Sequence, residues 1–169
     1  MKWFGITGSW RLTNATIEND VRNKVSGIIK SGNGIVTGGA LNVDYFALDE
    51  ALKLNPKANR IKVFLPVTLR RYAEHYKKRT KEGTITQAQA KKLITQLTAL
   101  QKANPTALIE NFRNSEVDTA SYFERDTLIV NASDELYAFH VNNSGGTQDT
   151  IDKANKKGIP VRIFAYRID

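Results

Sequence analysis

Three short apolar segments of this sequence each run into a glycine-bearing loop and then into a helical pattern. With their loops they read Phe4-Gly5-Ile6-Thr7-Gly8-Ser9, Ile35-Val36-Thr37-Gly38-Gly39-Ala40 and Tyr137-Ala138-Phe139-His140-Val141-Asn142-Asn143-Ser144-Gly145-Gly146-Thr147. A strand, a tight turn and a helix in this order place backbone N–H groups around the positive end of a helix, which suits a phosphate or another anion. Strands that alternate with helices in this way predict an α/β fold.

The chain up to Pro66 alternates regularly between strand and helix patterns. Apolar runs at residues 2–7, 35–37 and 61–65 are typical of buried parallel strands. Residues 15–30 form an amphipathic helix between the first two runs, and residues 43–54 form a second helix before the third. This β-α-β-α-β order implies right-handed crossovers and a parallel sheet.

The alternation stops at residue 67. Residues 67–118 are rich in Lys, Gln, Thr and Ala, and the run Thr86-Gln87-Ala88-Gln89 matches a helix capping box. A helical stripe follows, formed by Leu93, Ile94, Leu97 and Leu100. We expect a helical insertion outside the sheet, acting as a lid or as a dimer contact.

Residues 119–133 fit two interpretations. The run Thr127-Leu128-Ile129-Val130 favours a strand by propensity, whereas the spacing of Tyr122, Phe123, Asp126 and Ile129 fits a helix. A better strand follows at 135–141, then a helix from about 146 to 157 and a last strand at 159–166. The sheet is therefore predicted to have about five strands.

The composition restricts the class of protein. A chain of 169 residues is predicted to form a single domain over 1–169. It has no cysteine, which fits a reducing compartment, and no apolar run near the ~20 residues that span a bilayer. We expect a cytoplasmic protein without membrane contact. No cluster of His, Cys, Asp or Glu has metal-ligand spacing, so neither a metal nor another cofactor is predicted.

The net charge of +8 is concentrated in one segment. Between Arg70 and Lys92 there are eight Lys or Arg residues against Glu74 and Glu82. Such a patch attracts nucleic acid or an anionic small molecule, or it is simply a solvated helix surface. The candidate nucleic-acid contacts are Arg70, Arg71, Lys77, Lys78 and Arg79. Tyr72 and Tyr76 lie among them and either stack on bases or anchor the helix.

The glycine loops also resemble a known superfamily. Gly5-Ile6-Thr7-Gly8-Ser9-Trp10-Arg11 resembles the first loop of the Rossmann-like superfamily (SLOG) that unites the DNA-processing protein A (DprA) family with the "Lonely guy" phosphoribohydrolases. The segment from Ile35 to Asp44, followed by Ala47 and Ala51-Leu52, is similar to the second loop and helix of the DNA-processing family. Phe123-Glu124-Arg125-Asp126 resembles the arginine-bearing helix of both families, which favours the helical interpretation of 119–133.

The resemblance implies a Rossmann-like open sheet whose last phosphate-contacting loop is Ser144-Gly145-Gly146-Thr147. The phosphoribohydrolases carry a catalytic glutamate three residues after the Gly-Thr of this loop, and here Thr150 occupies that position. Asp149 lies one residue early, and one residue turns a helical side chain by about 100°. Both families tend to self-associate, so the resemblance also implies a homo-oligomer.

A sheet order of 3-2-1-4-5 places the ligand at the switch point between the first and fourth strands. There we expect a site formed by Gly8, Ser9, Trp10, Arg11, Gly38, Gly39, Asp44, Arg125, Ser144, Gly145, Gly146 and Thr147. Arg11 and Arg125 are suited to grip a phosphate or carboxylate, and Trp10 to stack on a base. Asp44 either accepts a hydrogen bond from a ribose hydroxyl or an exocyclic amine, or only interacts favourably with the dipole of its helix. His140 is expected to be structural and His75 to face solvent.

Three functions follow from these features. The first is binding of a nucleotide or nucleotide-derived phosphate ligand without catalysis. The second is phosphoribohydrolase-like cleavage of nucleoside 5′-monophosphates, with Arg125 positioning the substrate and Asp149 as acid or base. The third is binding of single-stranded DNA, as in the DNA-processing family, through the charge of +8 and the Arg70–Lys92 segment.

Overall fold

Strands and helices alternate along the chain in the computed structural model, which describes all residues from 1 to 169. In chain order the elements are β1 (Trp3–Gly8), α1 (Ala15–Lys30), β2 (Gly34–Thr37), α2 (Val43–Leu54), β3 (Ile61–Phe64), α3 (Leu69–Lys81), α4 (Gln87–Ala103), β4 (Leu108–Ile109), α5 (Thr119–Asn131), β5 (Glu135–Val141), α6 (Gly145–Lys157) and β6 (Val161–Tyr166). The helical interpretation of residues 119–133 is therefore confirmed.

The six strands form one parallel sheet in the order β4-β3-β2-β1-β5-β6. The five predicted strands correspond to β1, β2, β3, β5 and β6, and they lie in the predicted order. The sixth strand was not predicted: β4 pairs with β3 through Val63↔Leu108 and Phe64↔Ile109. Segment 67–118 is thus mostly helical but also adds a strand to the sheet. This strand was not predicted because two residues are too few to show the alternation that marks a strand.

Side chains pack on both faces of the sheet. The larger apolar cluster joins one face to α1, α2 and α4, and it includes Phe139 and Val141 of β5. The alternate residues of the same strand, Leu136 and Ala138, belong to a second cluster with Ile151 of α6. Since successive strand residues point to opposite faces, both sides of β5 are covered.

Local sequence signals account for several helix boundaries. The Asn14 side chain accepts a hydrogen bond from the Ile17 N–H at 2.9 Å and begins α1. Thr86 and Gln89 form the predicted capping box of α4, and Asp118 with Ser121 forms another at the start of α5. No helix of the chain combines the length and apolar character needed to cross a membrane.

Candidate functional site

A cavity of about 740 Å³ opens at the carboxyl ends of β1 and β5. Ten of the twelve predicted ligand contacts line it, from the loops after β1 and β5 and from α2, α5 and α6: Gly8, Ser9, Trp10, Arg11, Asp44, Arg125, Ser144, Gly145, Gly146 and Thr147. A more open depression of about 430 Å³ lies beside the ends of α1 and α2. Only five residues line that depression and none belongs to a predicted loop, so the cavity is the candidate site.

The amino-terminal end of α6 forms one wall of the cavity. Ser144 occupies the cap position, but its side chain makes no capping hydrogen bond and instead donates to Thr147 Oγ1 at 2.9 Å. The first N–H groups of a helix have no partner within the helix, so those of α6 are available to a ligand. A Cβ added at Gly145 or Gly146 would meet no atom within 4 Å. These two glycines therefore leave open space in front of the helix end.

The loop after β1 forms the mouth of the cavity. Ser9 Oγ accepts hydrogen bonds from the N–H groups of Arg11 at 3.3 Å and Leu12 at 3.0 Å, which fixes the loop. Trp10 is 41 % exposed, and the Arg11 guanidinium lies 5.2 Å from the centre of its ring. A flat aromatic surface and a cation are thus held together at the entrance.

Gly38 and Gly39 do not line the cavity, although both were predicted as ligand contacts. The Gly38 carbonyl accepts a hydrogen bond from Arg125 Nη1 at 3.1 Å, and the Gly39 carbonyl accepts one from the Tyr72 hydroxyl at 3.1 Å. A Cβ at Gly38 would lie 2.8 Å from Arg125 Cζ, and Gly39 has a φ of +68°. Gly38 makes room for the Arg125 side chain, and Gly39 makes room for Leu65.

Arg125 is held inside the protein by several partners. Its side chain is 12 % exposed, and besides Gly38 it contacts Asp126 Oδ1 through Nη2 at 3.2 Å and the Tyr122 ring at 5.0 Å. Its Nε is buried and has no hydrogen-bond partner. Burial disfavours the charged form, but Asp126, Tyr72 and Asp44 outweigh it and raise the pKa of Arg125 above its ordinary value. The guanidinium stays charged, and Gly38 and Asp126 engage only two of its five N–H donors.

Two buried carboxylates flank Arg125 and face the cavity. Asp44 and Asp126 are each 6 % exposed. Burial raises the pKa of both, and the attraction of Arg125 only partly offsets it. Asp44 Oδ2 also accepts a hydrogen bond from the Ala40 N–H at 3.2 Å. The inner part of the cavity therefore offers hydrogen-bond acceptors, in contrast to the donors at α6.

Helix α3 supplies a wall that the sequence analysis did not assign to the site. His75, Tyr76 and Arg79 line the cavity. Tyr72 and Tyr76 are buried, with ring centres 4.9 Å apart, so they anchor the helix. His75 was expected to face solvent but is half-buried. Its burial lowers its pKa, and the positive charge of Arg79 lowers it further. The spacing of Tyr72, His75, Tyr76 and Arg79 is that of one helical face, a signal that was present in the sequence.

The predicted nucleic-acid patch lies on the outer surface of α3. Arg70, Arg71, Lys77 and Lys78 are exposed and do not line the cavity. Arg71 donates to the Ser115 carbonyl at 2.9 Å, which ties the start of α3 to the loop between β4 and α5. Among the patch residues, Arg79 alone reaches the cavity, so the basic surface continues into its mouth.

The two remaining candidates lie outside the cavity. Asp149, predicted as acid or base, does not line it and pairs with Lys153 one turn along α6. His140 is buried, with Nε2 3.1 Å from the Ser144 carbonyl, which is a structural position. No group of three or more His, Cys, Asp or Glu is arranged to hold a metal ion.

Comparison with known proteins relates this fold to three solved structures. No protein-family model matches the chain, and no curated protein matches it by sequence. DNA processing protein A from Helicobacter pylori, described for its single-stranded DNA binding mode, is 20 % identical with a TM-score of 0.70; the match covers 99 % of this chain and 67 % of that one. DprA from Streptococcus pneumoniae is 15 % identical with a TM-score of 0.63, over 98 % of this chain and 50 % of that one.

The molybdenum cofactor carrier protein from Chlamydomonas reinhardtii is 16 % identical with a TM-score of 0.57, over 96 % of this chain and 75 % of that one. Likenesses at such low identity concern the fold. They confirm the predicted Rossmann-like α/β fold of the chain.

Proposed function

We propose that this protein binds a nucleotide or nucleotide-derived phosphate ligand in the cavity at the carboxyl ends of β1 and β5. The observation that carries the proposal is the pairing of an uncapped helix end with buried acceptors inside one cavity. The cavity volume of about 740 Å³ falls within the range of small-molecule sites. The position also follows the rule that open α/β sheets bind ligands at a topological switch point.

The phosphate is proposed to bind at the start of α6. Backbone N–H groups and the helix dipole favour an anion there, and the bare Cα atoms of Gly145 and Gly146 permit its close approach. Ser144 and Thr147 add hydroxyl groups beside the same helix end. Arg11 and Arg79 at the mouth raise the local concentration of anions, since both are exposed cations on the cavity rim.

The remainder of the ligand is proposed to extend along the other walls. Asp44 and Asp126 offer acceptors for hydroxyl or amino donors. Trp10, Tyr122 and Phe123 line the same cavity and offer aromatic surfaces against which a planar base can pack. A nucleotide matches these walls, because it has an anionic group at one end, hydrogen-bond donors in the middle and a planar ring at the other end.

Binding of single-stranded DNA is the second candidate, and the exposed basic face of α3 favours it. That face continues through Arg79 to the cavity mouth. The structural neighbour from Helicobacter pylori is described as binding single-stranded DNA. Backbone contacts of this kind weaken steeply with salt, which separates them from a closed small-molecule site. We do not propose hydrolysis through Asp149, because Lys153 pairs with it outside the cavity.

Two variants that remove positive charge at different places separate the candidates. Arg11→Gln removes a cation at the cavity mouth, whereas the double substitution Lys77→Gln and Lys78→Gln removes two from the outer face of α3. Thermal unfolding is measured with inorganic phosphate, ribose 5-phosphate, nucleoside monophosphates or short single-stranded DNA, each at two salt concentrations. Ligands that bind the folded state alone raise its stability by mass action.

The first candidate predicts that a nucleotide stabilises the wild type, that Arg11→Gln weakens this effect and that the double variant leaves it unchanged. A salt-sensitive shift with DNA alone, lost in the double variant, selects the second candidate. If no phosphate compound shifts the transition, the proposed cavity function is wrong. The homo-oligomer implied by the resemblance stays a prediction, and light scattering of the purified protein tests it.

A further inference from the structure

Asp126 has a carboxylate oxygen whose hydrogen-bonding capacity the protein does not use. Its side chain is 8 % exposed, and Oδ1 accepts one hydrogen bond, from Arg125 Nη2 at 3.2 Å. The other oxygen accepts none, although an ionised carboxylate has about four acceptor positions. Asp126 lines the cavity, so the unused capacity is directed at a space that a ligand can enter. The fully buried side-chain atoms that lack a partner do not include this oxygen. It is therefore open to the cavity, where a hydrogen-bond donor of a ligand can reach it.

Arg125 gives this carboxylate a single hydrogen bond. The same guanidinium also serves the Gly38 carbonyl and interacts with Asp44. With both carboxylates ionised, two negative charges face the single guanidinium of Arg125 in the inner part of the cavity, because Arg11 and Arg79 lie at its mouth. A donor from the ligand is the missing component of this cluster, and a second anion is not.

The position of Asp126 relative to α6 identifies which part of a ligand reaches it. Helix α5 packs against α6, since Val130 and Ile151 share one apolar cluster and Lys153 lies over the Phe123 ring at 4.8 Å. Asp126 and the glycines at the start of α6 line the same cavity, so the group attached to a phosphate at α6 extends into the space that Asp126 lines. In a nucleotide that group is the pentose, while the base reaches the aromatic residues at the mouth.

We propose that Asp126 recognises the sugar of the ligand by accepting hydrogen bonds from the 2- and 3-hydroxyl groups of ribose. The cavity then selects ribose phosphates over their 2-deoxy counterparts. This inference rests on the proposed phosphate site and adds the identity of the sugar. It also implies that DNA, which lacks the 2-hydroxyl, uses the outer face of α3 rather than the cavity. A site built to hydrogen-bond a hydroxyl discriminates strongly against the analogue that lacks it.

The alternative role for Asp126 is to position Arg125. Asp126→Asn keeps the shape of the side chain and an oxygen that can accept from Arg125, but it removes the charge. A positioning role predicts that this substitution weakens both sugar phosphates equally. Recognition of the sugar predicts that it changes the ratio between them. Asp152→Asn is the control, because Asp152 is an exposed carboxylate of α6 that does not line the cavity.

The experiment is titration calorimetry of wild type and both variants with ribose 5-phosphate, 2-deoxyribose 5-phosphate and inorganic phosphate. The wild type and Asp152→Asn should bind the ribose compound about tenfold more tightly, as expected for loss of one charge-assisted hydrogen bond. In Asp126→Asn the ratio should fall to about twofold while inorganic phosphate binds at least as well. If Asp126→Asn does not fold, Asp126→Glu takes its place, because it keeps the negative charge beside Arg125 but moves the acceptor oxygens and should lower the same ratio.

Equal binding of the two sugar phosphates to the wild type overturns the role of Asp126 and leaves the phosphate site standing. A preference that persists in Asp126→Asn also overturns it. If none of the three compounds binds, the proposed function itself has failed. The failures of the two proposals are therefore distinguishable.

Discussion

The substitution Gly146→Ala separates the stability of α6 from its proposed use as an anion site. A Cβ at Gly146 would meet no atom within 4 Å, so the folded protein accepts the methyl group without strain. Alanine is favoured over glycine within a helix by about 1 kcal/mol, with a smaller gain in the first turn. We expect the variant to be more stable by about 0.5 kcal/mol, which raises the transition temperature of a chain of this size by about 1–2 °C.

The same methyl group should weaken binding of a phosphate. The Cα–Cβ bonds of a helix tilt toward its amino-terminal end, so the new Cβ points to where the anion is proposed to lie. A phosphate oxygen accepts from an N–H at about 2.9 Å, whereas it contacts a methyl carbon at about 3.5 Å. The methyl group therefore displaces the phosphate oxygen by this difference. The displacement lengthens one or two charge-assisted hydrogen bonds, each worth about 1.5–3 kcal/mol. The affinity for ribose 5-phosphate should fall by about ten- to a hundredfold.

Gly27→Ala provides the matched control. Gly27 lies in the last turn of α1, a Cβ there also meets no atom within 4 Å, and the residue does not line the cavity. It should gain about 1 kcal/mol of stability and bind ribose 5-phosphate like the wild type. Chemical unfolding gives the stabilities, and calorimetry gives the affinities. If Gly146→Ala is stabilised and yet binds as tightly as Gly27→Ala, the start of α6 is not the phosphate site.

Three further predictions concern single substitutions at Gly38, Tyr72 and Asp126. Gly38→Ala should destabilise the protein by about 1–3 kcal/mol in urea unfolding, because its Cβ would lie 2.8 Å from Arg125 Cζ; an unchanged midpoint would contradict the packing. Tyr72→Phe should cost about 1 kcal/mol in the same assay, since the Gly39 carbonyl loses its 3.1 Å hydrogen bond; a neutral effect would mean that this bond contributes nothing. The pKa of Asp126 is raised by burial, so its contribution to stability is present at acid pH and is lost as the pH rises through that pKa. Asp126→Asn should therefore gain stability relative to the wild type as the pH rises through that pKa, and a variant that instead loses stability relative to the wild type with rising pH would refute this sign.

The fold was largely predictable because its signals are local. The strands β1, β2 and β5 appear as apolar runs before glycine loops, and the capping box of α4 is legible in Thr86 and Gln89. Helix α5 required the resemblance as well, because Ile129 and Val130 have a strand-like propensity that its packing overrides. Strand β4 was missed because a pair of residues, Leu108 and Ile109, carries no periodicity.

The site was predictable as far as it depends on strand order. Parallel strands bring their carboxyl ends to one edge, so the loops after β1 and β5 had to meet there. The wall formed by α3 was missed because its position depends on packing against a distant segment. For example, the hydrogen bond from the Tyr72 hydroxyl of α3 to the Gly39 carbonyl joins residues that are 33 positions apart in the sequence.

The amino-acid sequence by itself determined the alternation of strands and helices, the helix caps and the glycine loops, since each depends on neighbouring residues. The tertiary structure alone decided which glycines open toward a ligand and which make room for another side chain. It also decided that Arg125 lies buried between Asp44 and Asp126. The physical reason is that burial, and the pairing of charges that burial demands, arises between segments distant in the chain.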